Sequence, residues 1–320
     1  MDKGRTDTGG ACDERCRYGG GDAARDGAGK ARAQGELFNP VRIAGAATSD
    51  QDKIVDLTYT FDASTTYWPA EGGFEHNYKL FGMQPGGYFH SSAKFAAAEH
   101  GGTHMDAPLH FNRDGMSVDQ VPMNHFVGPA MVIDFSSRSL NYPDATLSLE
   151  DIHAYERTHG AIPSGAIVVG RSGWGRFWPD KKHYLGSDQP GDVAHLHFPG
   201  FFPEAVQFLL TDRNVVALAI DTASLDPGNS KDFPVHRMWL GANRVGFENL
   251  ANADKLPFSG ATIFCIPMKI GKGTGGASTH FRVAPIGRFI REILSDQGAG
   301  WFESRRRATA LWGIKCAKVH

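Results

Sequence analysis

The sequence has no long apolar run, and this absence limits the kinds of protein it can be. Its 320 residues contain no uninterrupted apolar stretch of about 18, so no membrane-spanning helix is predicted. The first residues also lack the apolar core of a secretory signal. A formal net charge of only −2 gives no electrostatic argument for binding nucleic acid or an anionic membrane. We therefore expect neither as a partner.

Cysteine is scarce, and its positions do not indicate a disulfide-stabilised protein. The four cysteines are Cys12, Cys16, Cys265 and Cys316, and no regular spacing pairs them. Such usage favours a reducing compartment, so we expect a cytoplasmic protein. Cys12 and Cys16 resemble half of a zinc site, but no second pair follows nearby, and we interpret their spacing as chance.

Three common functional motifs are not met. No Gly-x-Ser-x-Gly occurs, which removes the usual serine nucleophile of α/β hydrolases. The glycine-rich residues 271–276 suggest a phosphate loop, but Lys272 is followed by glycine rather than by serine or threonine. No Gly-x-Gly-x-x-Gly precedes a predicted helix. We interpret 271–276 as a mobile glycine loop, so the chemistry must lie elsewhere.

Large apolar side chains are rare in residues 1–50, which are rich in Gly, Ala, Asp and Arg. Such a stretch cannot bury enough surface to offset the entropy lost on ordering, so it is predicted to be disordered. The folded domain is predicted to cover residues 51–286. Residues 287–320 are interpreted as a tail of unknown role, with a possible amphipathic helix at 288–294.

Within the folded part, short apolar runs predict buried strands, and capped segments predict helices. A serine cap, an acidic first turn and a terminal glycine indicate a helix at 148–160. The predicted strands are 54–61, 130–135, 167–170, 215–220 and 261–266, the second helix is 203–212, and 175–200 is predicted as loop. Helix followed by apolar strand, repeated, predicts an α/β fold in a single layered domain.

The most informative stretch is residues 100–110, which hold three histidines and one aspartate. In an extended strand, side chains alternate between faces, so His100, His104 and Asp106 would share one face. A helix is the alternative, because His100 and His104 would lie one turn apart. The two glycines and the threonine between them are weak helix formers, however. We predict a strand that ends in a turn at Pro108, with His110 beyond it.

Two imidazoles and a carboxylate on one face suit a divalent ion such as zinc or manganese. Three protein ligands leave a position free for water, which is typical of catalytic rather than structural zinc sites. The alternative is a histidine-rich strand that binds no metal. We expect one divalent ion and leave room for a second.

The same stretch resembles the signature His-x-Gly-Thr-His-x-Asp-x-Pro-x-His of the bacterial kynurenine formamidase and isatin hydrolase group, also called the cyclase family of metal-dependent hydrolases. Every fixed position is present. The resemblance covers roughly residues 54–286. It includes Ser-Leu-Asp-Pro at 224–227 and Pro-x-Lys-Ile-x-x-Gly-x-Gly-Gly at 267–276, and it excludes both termini.

The resemblance implies a β/β/α layered, swivelling-type domain that forms a homodimer or homotetramer. It implies that His236 and Glu248 help to hold a second metal ion, with Asp106 bridging the two ions. It assigns His110 to proton transfer and Trp68 to contact with the substrate. Some relatives work with one metal, so the second ion is the less firmly implied of the two.

A metal with a free ligand position suits attack on an amide carbon, because it activates water and polarises a carbonyl oxygen. His110 would then protonate the leaving nitrogen. Trp68, Trp174 and Phe201 are predicted to form an apolar pocket for a flat ring. We therefore predict hydrolysis of a small-molecule amide, either an aryl formamide or a cyclic amide like N-formylkynurenine or isatin, with a role in tryptophan catabolism. The alternatives are a dehydrating cyclase and a non-catalytic metal-binding module.

Overall fold

An eight-stranded sheet organises residues 54–284, which are the residues described by the computed structural model. The strand order is β1-β12-β11-β5-β7-β9-β10-β4, and β4 also pairs with β12, so the sheet closes on itself like a barrel. The strands are β1 Ile54–Asp56, β2 Glu75–Met83, β3 Phe89–Ala96, β4 His104–Asp106, β5 Val127–Asp134, β6 Thr146–Leu147, β7 Ile167–Arg171, β8 Gly200–Phe201, β9 Ala217–Ile220, β10 Val245–Glu248, β11 Ala261–Pro267 and β12 Gly275–Val283.

The helices are few and short. They are α1 Ser136–Ser139, α2 Leu149–His159, α3 Lys181–Leu185, α4 Pro203–Thr211 and α5 Pro234–Gly241, with 3₁₀ turns at Pro108–His110, Met123–His125, Trp174–Phe177 and Ala253–Lys255. None of the helices in this part of the chain is long and apolar enough to cross a membrane. The predictions for residues 1–50 and 287–320, including the helix at 288–294, lie outside the described residues.

Strand direction determines where functional side chains can gather. Strands β5, β7, β9 and β10 run parallel, so their carboxyl ends meet at one edge of the sheet. Strand β4 lies antiparallel between β10 and β12. In this register His104 faces Glu248 across one strand pair, and Asp106 faces Gly275 across the other.

Two hydrophobic cores separate the layers. Alternate residues of the parallel strands, such as Val169, Ala219 and Phe247, point into the closed sheet and pack with residues of the opposite strands. Their neighbours, such as Leu218 and Ile220, point outward and pack beneath α2, α4 and α5. This period of two is typical of a sheet that is covered on both faces. The mixed α/β prediction, with two sheet layers and one helical layer, is confirmed.

Local sequence features predicted most of the regular elements. The helix at 148–160 is α2, where Ser148 and Asp151 form a capping box and Gly160 ends the helix. Helix 203–212 is α4, and strands β5, β7, β9 and β11 lie where strands were predicted. The first strand is shorter than predicted. Leu57 still donates its amide to the His280 carbonyl of β12 at 2.9 Å, but the Tyr59 amide donates to the Thr103 hydroxyl, 2.9 Å away.

Three local predictions were wrong. The segment 175–200 is not all loop, since it contains α3, which Asp180 caps. The strand predicted from His100 is regular only over β4, because Gly102 turns the chain at φ +57°. The glycine loop at 271–276 is partly strand: Gly275 begins β12, where an added Cβ would lie 2.5 Å from His100 Cε1. Glycine there permits close packing against the histidine.

A separate hairpin was not predicted at all. Strands β2 and β3 pair only with each other within the described residues, and neither joins the main sheet. The hairpin lies between Trp68 and His100, so it begins and ends beside the site described next. An isolated bridge between Tyr67 and Gly101 closes its base.

Candidate metal centre and cavity

The centre is built first from the β4–β10 pair. His104 and Asp106 lie two residues apart on β4 and therefore project from the same face, as predicted. Glu248 is the last residue of β10 and stands directly opposite His104. His104 Nε2 lies 3.3 Å from Asp106 Oδ1 and 3.5 Å from Glu248 Oε2. All three side chains are buried.

Helix α5 supplies a second imidazole from the other side. The carboxylate of Asp226 accepts the amide N–H groups of Val235 and His236, which fixes the start of the helix. The same carboxylate accepts the Nδ1–H of His236 at 2.6 Å. His236 Nε2 then lies 3.3 Å from Asp106 Oδ2 and 3.2 Å from Glu248 Oε1.

His100 approaches Asp106 from the turn before β4. Its Nδ1 lies 2.7 Å from Asp106 Oδ1. On the far side of the ring, Nε2 lies 3.0 Å from the hydroxyl oxygen of Thr274. That hydroxyl donates to Glu99 Oε2 at 2.6 Å, so its oxygen accepts a hydrogen from His100 Nε2. The Glu99 carboxylate also accepts the Thr274 amide N–H at 2.8 Å. This contact holds in place the relay, meaning the hydrogen bonds that run from His100 through Thr274 to Glu99.

In the neutral, metal-binding forms of the three imidazoles, these outer hydrogen bonds fix which ring nitrogen carries the proton. His236 donates Nδ1–H to Asp226, His104 donates Nδ1–H to the Gly102 carbonyl at 3.0 Å, and His100 donates Nε2–H to Thr274. In those forms each ring turns an unprotonated nitrogen toward the carboxylates of Asp106 and Glu248. Lone pairs that face carboxylates repel, so positive charge is needed between them, supplied either by protons on the rings or by a metal ion.

Unsatisfied atoms support the same conclusion. His104 Nε2 and Asp106 Oδ2 are buried without a hydrogen-bond partner, although buried polar groups are nearly always paired. Imidazole nitrogen and carboxylate oxygen are ligands that zinc and manganese accept. The residues present therefore fit a divalent ion, which His100, His104, Asp106, His236 and Glu248 would hold.

The ligand atoms fall into two groups that share one residue. His104, Asp106 and Glu248 form one group, and His100, Asp106 and His110 form the other, with the ligand atoms of each group within 4.8 Å of one another. The sequence set His110 apart from the ligands, yet its ring stacks on His100 at 3.8 Å between centroids. The chain does turn at Pro108, as predicted, and a 3₁₀ turn brings His110 back to the centre.

The pKa values of neighbouring imidazoles are shifted in opposite directions. Burial opposes a charge on His104, but Asp106 and Glu248 outweigh burial and raise its pKa to about 9. Burial lowers the pKa of His110 to about 4, with smaller contributions from the surrounding histidines. Burial and the nearby Asp106 raise the pKa of Glu248. His110 is therefore a neutral imidazole at pH 7, whereas His104 must release a proton before it can bind a metal.

A cavity of about 190 Å³ opens onto this centre. Three aromatic side chains line it: Trp68 and Phe233 lie 6.2 Å apart, and Phe111 lies 5.6 Å from Phe233, between ring centroids. Phe233 has φ +47°, a strained left-handed conformation for a bulky residue, at the residue before α5. Trp68 was predicted as a substrate contact, and it does line the cavity.

The other two predicted aromatic contacts do not line this cavity. Trp174 is buried, and its Nε1–H donates to the Tyr184 carbonyl at 2.8 Å. Phe201 is fully buried in the core beneath the helices. The structure does not bring these two rings to the cavity, because the sequence shows that a ring is apolar but not which way its strand or turn directs it.

Several residues of the site were missed. Asn249 lines the cavity and donates to the Gly102 carbonyl at 2.8 Å, the same acceptor that orients His104. Asp226, Glu99 and Thr274 hold the imidazoles from behind. A signal existed for Asp226, which lies within Ser-Leu-Asp-Pro at 224–227, and for Glu99, which adjoins His100. Their roles depend on contacts between distant segments, which no local pattern reveals.

Fold and centre together define a mixed α/β protein whose candidate metal-binding residues open onto a cavity. The chain belongs to the cyclase family, whose model, described as "Putative cyclase", matches residues 55–227. An isatin hydrolase from Roseibium aggregatum is 31% identical over 252 residues, 74% of this chain and 94% of that protein. A kynurenine formamidase from Salinibacter ruber is 26% identical over 223 residues, 69% of this chain and 92% of that protein.

Solved structures agree with these relatives. An isatin hydrolase bound to the product analogue thioisatinate superimposes with a TM-score of 0.66 at 30% identity, covering 72% of this chain and 92% of that chain. Isatin hydrolase A from Ralstonia solanacearum gives a TM-score of 0.66 at 33% identity, with 72% and 92% covered. The family predicted from the motif at 100–110 is confirmed.

Proposed function

We propose that this protein is a metal-dependent hydrolase that cleaves a C–N bond, other than a peptide bond, in a cyclic amide or an aryl formamide. One observation carries the proposal: three imidazole nitrogens converge on Asp106 and Glu248 at the end of an aromatic cavity. Relatives named isatin hydrolase and kynurenine formamidase support the reaction class. Zinc or manganese is the proposed metal, since both accept this mixture of nitrogen and oxygen ligands.

The proposed chemistry divides between the ion and the chain. A divalent ion supplies activated water at neutral pH and polarises a carbonyl oxygen. His110 is the proposed general base and acid: being neutral at pH 7, it accepts a proton and returns it to the leaving nitrogen. Trp68, Phe111 and Phe233 provide apolar walls that hold a flat ring against the centre.

The cavity lining also favours one substrate over the other. It contains Glu71 but no lysine or arginine within the described residues. N-formylkynurenine carries a free carboxylate, for which an arginine or lysine would be the usual partner. Isatin has no such group. We therefore propose an isatin-like cyclic amide as the preferred substrate and an aryl formamide as the second choice.

We further propose a cytoplasmic homodimer or homotetramer. The location is supported by Cys265, the one cysteine within residues 54–284, which is a free and buried thiol. Burial raises the pKa of this thiol well above its usual range, so it stays unreactive.

A substrate panel tests the proposed function. The full chain, reconstituted separately with Zn²⁺ and Mn²⁺, is incubated with isatin and with N-formylkynurenine, and the products are identified by mass. We expect ring opening of isatin, which adds one water to the mass, at a higher kcat/KM than release of formate. A mass loss of one water from an open-chain substrate would identify a dehydrating cyclase instead. Metal binding without turnover of any aromatic amide would favour a binding module.

A further inference from the structure

Two residues in the cavity wall carry hydroxyl groups that have no hydrogen-bond partner. Thr66 and Tyr67 line the cavity beside the candidate metal centre. They are only 1% and 5% exposed, and both hydroxyl oxygens are buried and unpaired. Buried hydroxyls are nearly always paired, because folding removes the hydrogen bonds that water gives to the unfolded chain. These two groups therefore need a partner that the described part of the chain does not provide.

The proposed metal ion does not supply that partner. Four of the unpaired buried side-chain atoms in residues 54–284 belong to residues that line this cavity. Two of them, His104 Nε2 and Asp106 Oδ2, lie among the candidate metal ligands, so an ion would satisfy them. The other two are the hydroxyls of Thr66 and Tyr67, and neither residue belongs to a group of candidate ligands. A molecule bound in the cavity is the remaining source of a partner.

The backbone that carries both hydroxyls is fixed relative to the centre. The Gly102 amide donates to the Thr66 carbonyl at 2.9 Å, and Tyr67 forms an isolated bridge with Gly101. The Tyr67 ring packs so closely on Gly101 that an added Cβ there would overlap its Cδ1. Residues 66–67 are thus held on the turn that leads directly into β4. A wall that is already ordered lowers the entropy cost of binding a ligand.

The polar groups around the cavity indicate that the missing partner is a hydrogen-bond acceptor. The carboxylates of Asp106 and Glu248 are acceptors already. The side chain of Asn249 is engaged with other groups of the protein through both its nitrogen and its oxygen. The hydroxyls of Thr66 and Tyr67 each have a hydrogen to donate. A carbonyl oxygen, which can only accept, complements them.

We propose that Thr66 and Tyr67 are specificity-determining residues, whose hydroxyls donate to a second carbonyl oxygen of the substrate, next to the amide that is cleaved. The proposal rests on the proposed function, because it places the amide carbonyl at the metal centre. A ring with two neighbouring carbonyl groups, as in isatin, offers one oxygen to the centre and one to the hydroxyls. A cyclic amide with a single carbonyl, such as 2-oxindole, leaves the hydroxyls unpaired, so the cavity selects against it.

The test compares variants that remove one hydroxyl and keep the shape of the side chain. Thr66→Val and Tyr67→Phe, each loaded with metal, should lose about tenfold or more in kcat/KM for isatin. The loss should appear in KM rather than in kcat, because the second oxygen is bound alike in substrate and transition state. Thr66→Ser restores a hydroxyl and should recover most of the loss. Metal content should stay at the wild-type level throughout.

Two controls separate the hydroxyls from general damage to the site. Tyr142→Phe removes an exposed hydroxyl outside the cavity lining and should behave as wild type. As a competitor of isatin, 2-oxindole should inhibit wild type and Thr66→Val equally, however weakly, because it has no second oxygen for the hydroxyl. If Thr66→Val weakened inhibition by 2-oxindole as much as it lowered kcat/KM for isatin, the second carbonyl would not be the partner and the proposal would be overturned.

Other results also decide against the proposal. An unchanged kcat/KM in one variant would remove that hydroxyl from the assignment, and unchanged values in both would overturn it. A Thr66→Ser enzyme as impaired as Thr66→Val, or a loss of metal in step with activity, would indicate a structural role instead. If wild type hydrolyses no isatin, the proposed function fails, and calorimetric binding of isatin to wild type and Thr66→Val then tests the hydroxyls separately. A wild type that neither binds nor hydrolyses isatin would overturn both.

Discussion

The candidate metal centre and the β2–β3 hairpin depart from the usual distribution of residues in opposite directions. In the centre, carboxylates and imidazoles are buried, and two of their atoms have no partner. On the hairpin, the aromatic side chains of Tyr78, Phe81 and Phe89 are exposed. Buried polar groups need a compensating charge, and large exposed apolar surfaces need another apolar surface. The centre therefore fits a metal ion, whereas the hairpin presents apolar surface that the rest of the described chain leaves uncovered.

The largest loss of metal binding and activity is expected at Asp106, which belongs to both groups of candidate ligands. Asp106→Asn keeps the shape of the side chain but removes its charge and one acceptor. We expect metal affinity to fall by more than ~100-fold and turnover to become undetectable, since losing a ligand costs more than losing a supporting contact. Metal content and activity are measured on the same sample. Asp114→Asn, an exposed control, should change neither. An Asp106→Asn protein that keeps both would refute the shared-ligand assignment.

His110 separates chemistry from metal binding. His110→Ala should keep its metal by elemental analysis and lose turnover by ~10²–10⁴-fold, because it removes the proposed proton carrier. His104→Ala should lose both metal and turnover. An activated aryl ester, whose leaving group needs no proton, should partly rescue His110→Ala. If His110→Ala lost metal and activity in parallel, His110 would be a metal ligand. Its position beside His100 and Asp106 would agree with that role.

The relay from His100 through Thr274 to Glu99 should make a smaller contribution to metal affinity, by fixing the orientation of the His100 ring. Thr274→Val removes the hydroxyl that links the ring to Glu99, whereas Thr274→Ser keeps it. We expect Thr274→Val to weaken metal binding by about 10–100-fold and Thr274→Ser to remain near wild type, as measured by competition with a chelator. Equal affinities for the two variants would show that the relay does not orient His100.

Asp151 is a contrasting carboxylate, because Arg138 and Ser148 already supply its counter-charge and hydrogen bonds. Burial tends to raise its pKa, but Arg138 and Ser148 outweigh burial and lower it. Asp151→Asn should lower the free energy of unfolding by ~1 kcal/mol at pH 7. Because the folded-state pKa is lowered, this stabilisation is present above the unfolded-state value near ~4 and disappears as the pH falls through the folded-state value. Metal should not alter the difference. A difference that persists in strong acid would contradict this account.

The sequence predicted those features that depend on residues close together in the chain. The capping box at Ser148 and the apolar runs of β5 and β7 are local features, and both kinds of element were found. The spacing of His104 and Asp106 fixed their shared face for the same reason. The resemblance to a family added His236 and Glu248. Helix α5 carries His236 and strand β10 carries Glu248, and contacts between segments distant in sequence bring the two side chains together.

The missed features depend on long-range packing or on irregular backbone. A register shift between Tyr78 and Leu80 interrupts the period of two in β2, which concealed the hairpin. Gly275 is a strand residue because His100 packs against it, and no local rule requires that contact. Trp174 was assigned to the substrate pocket on hydrophobicity alone, although its indole N–H is satisfied in a separate core. The turn at 84–88, with Pro85, Gly86 and Gly87, was a usable hairpin signal.

The central claim is that the buried imidazoles and carboxylates hold a catalytic ion. The most direct measurement is a calorimetric titration of the metal-free full chain with Zn²⁺ or Mn²⁺, with isatin turnover measured at each point. We predict no turnover without metal, a rise in proportion to bound ion, and saturation at one or two ions per chain. Full turnover in the metal-free protein, or tight binding that never produces turnover, would contradict the claim.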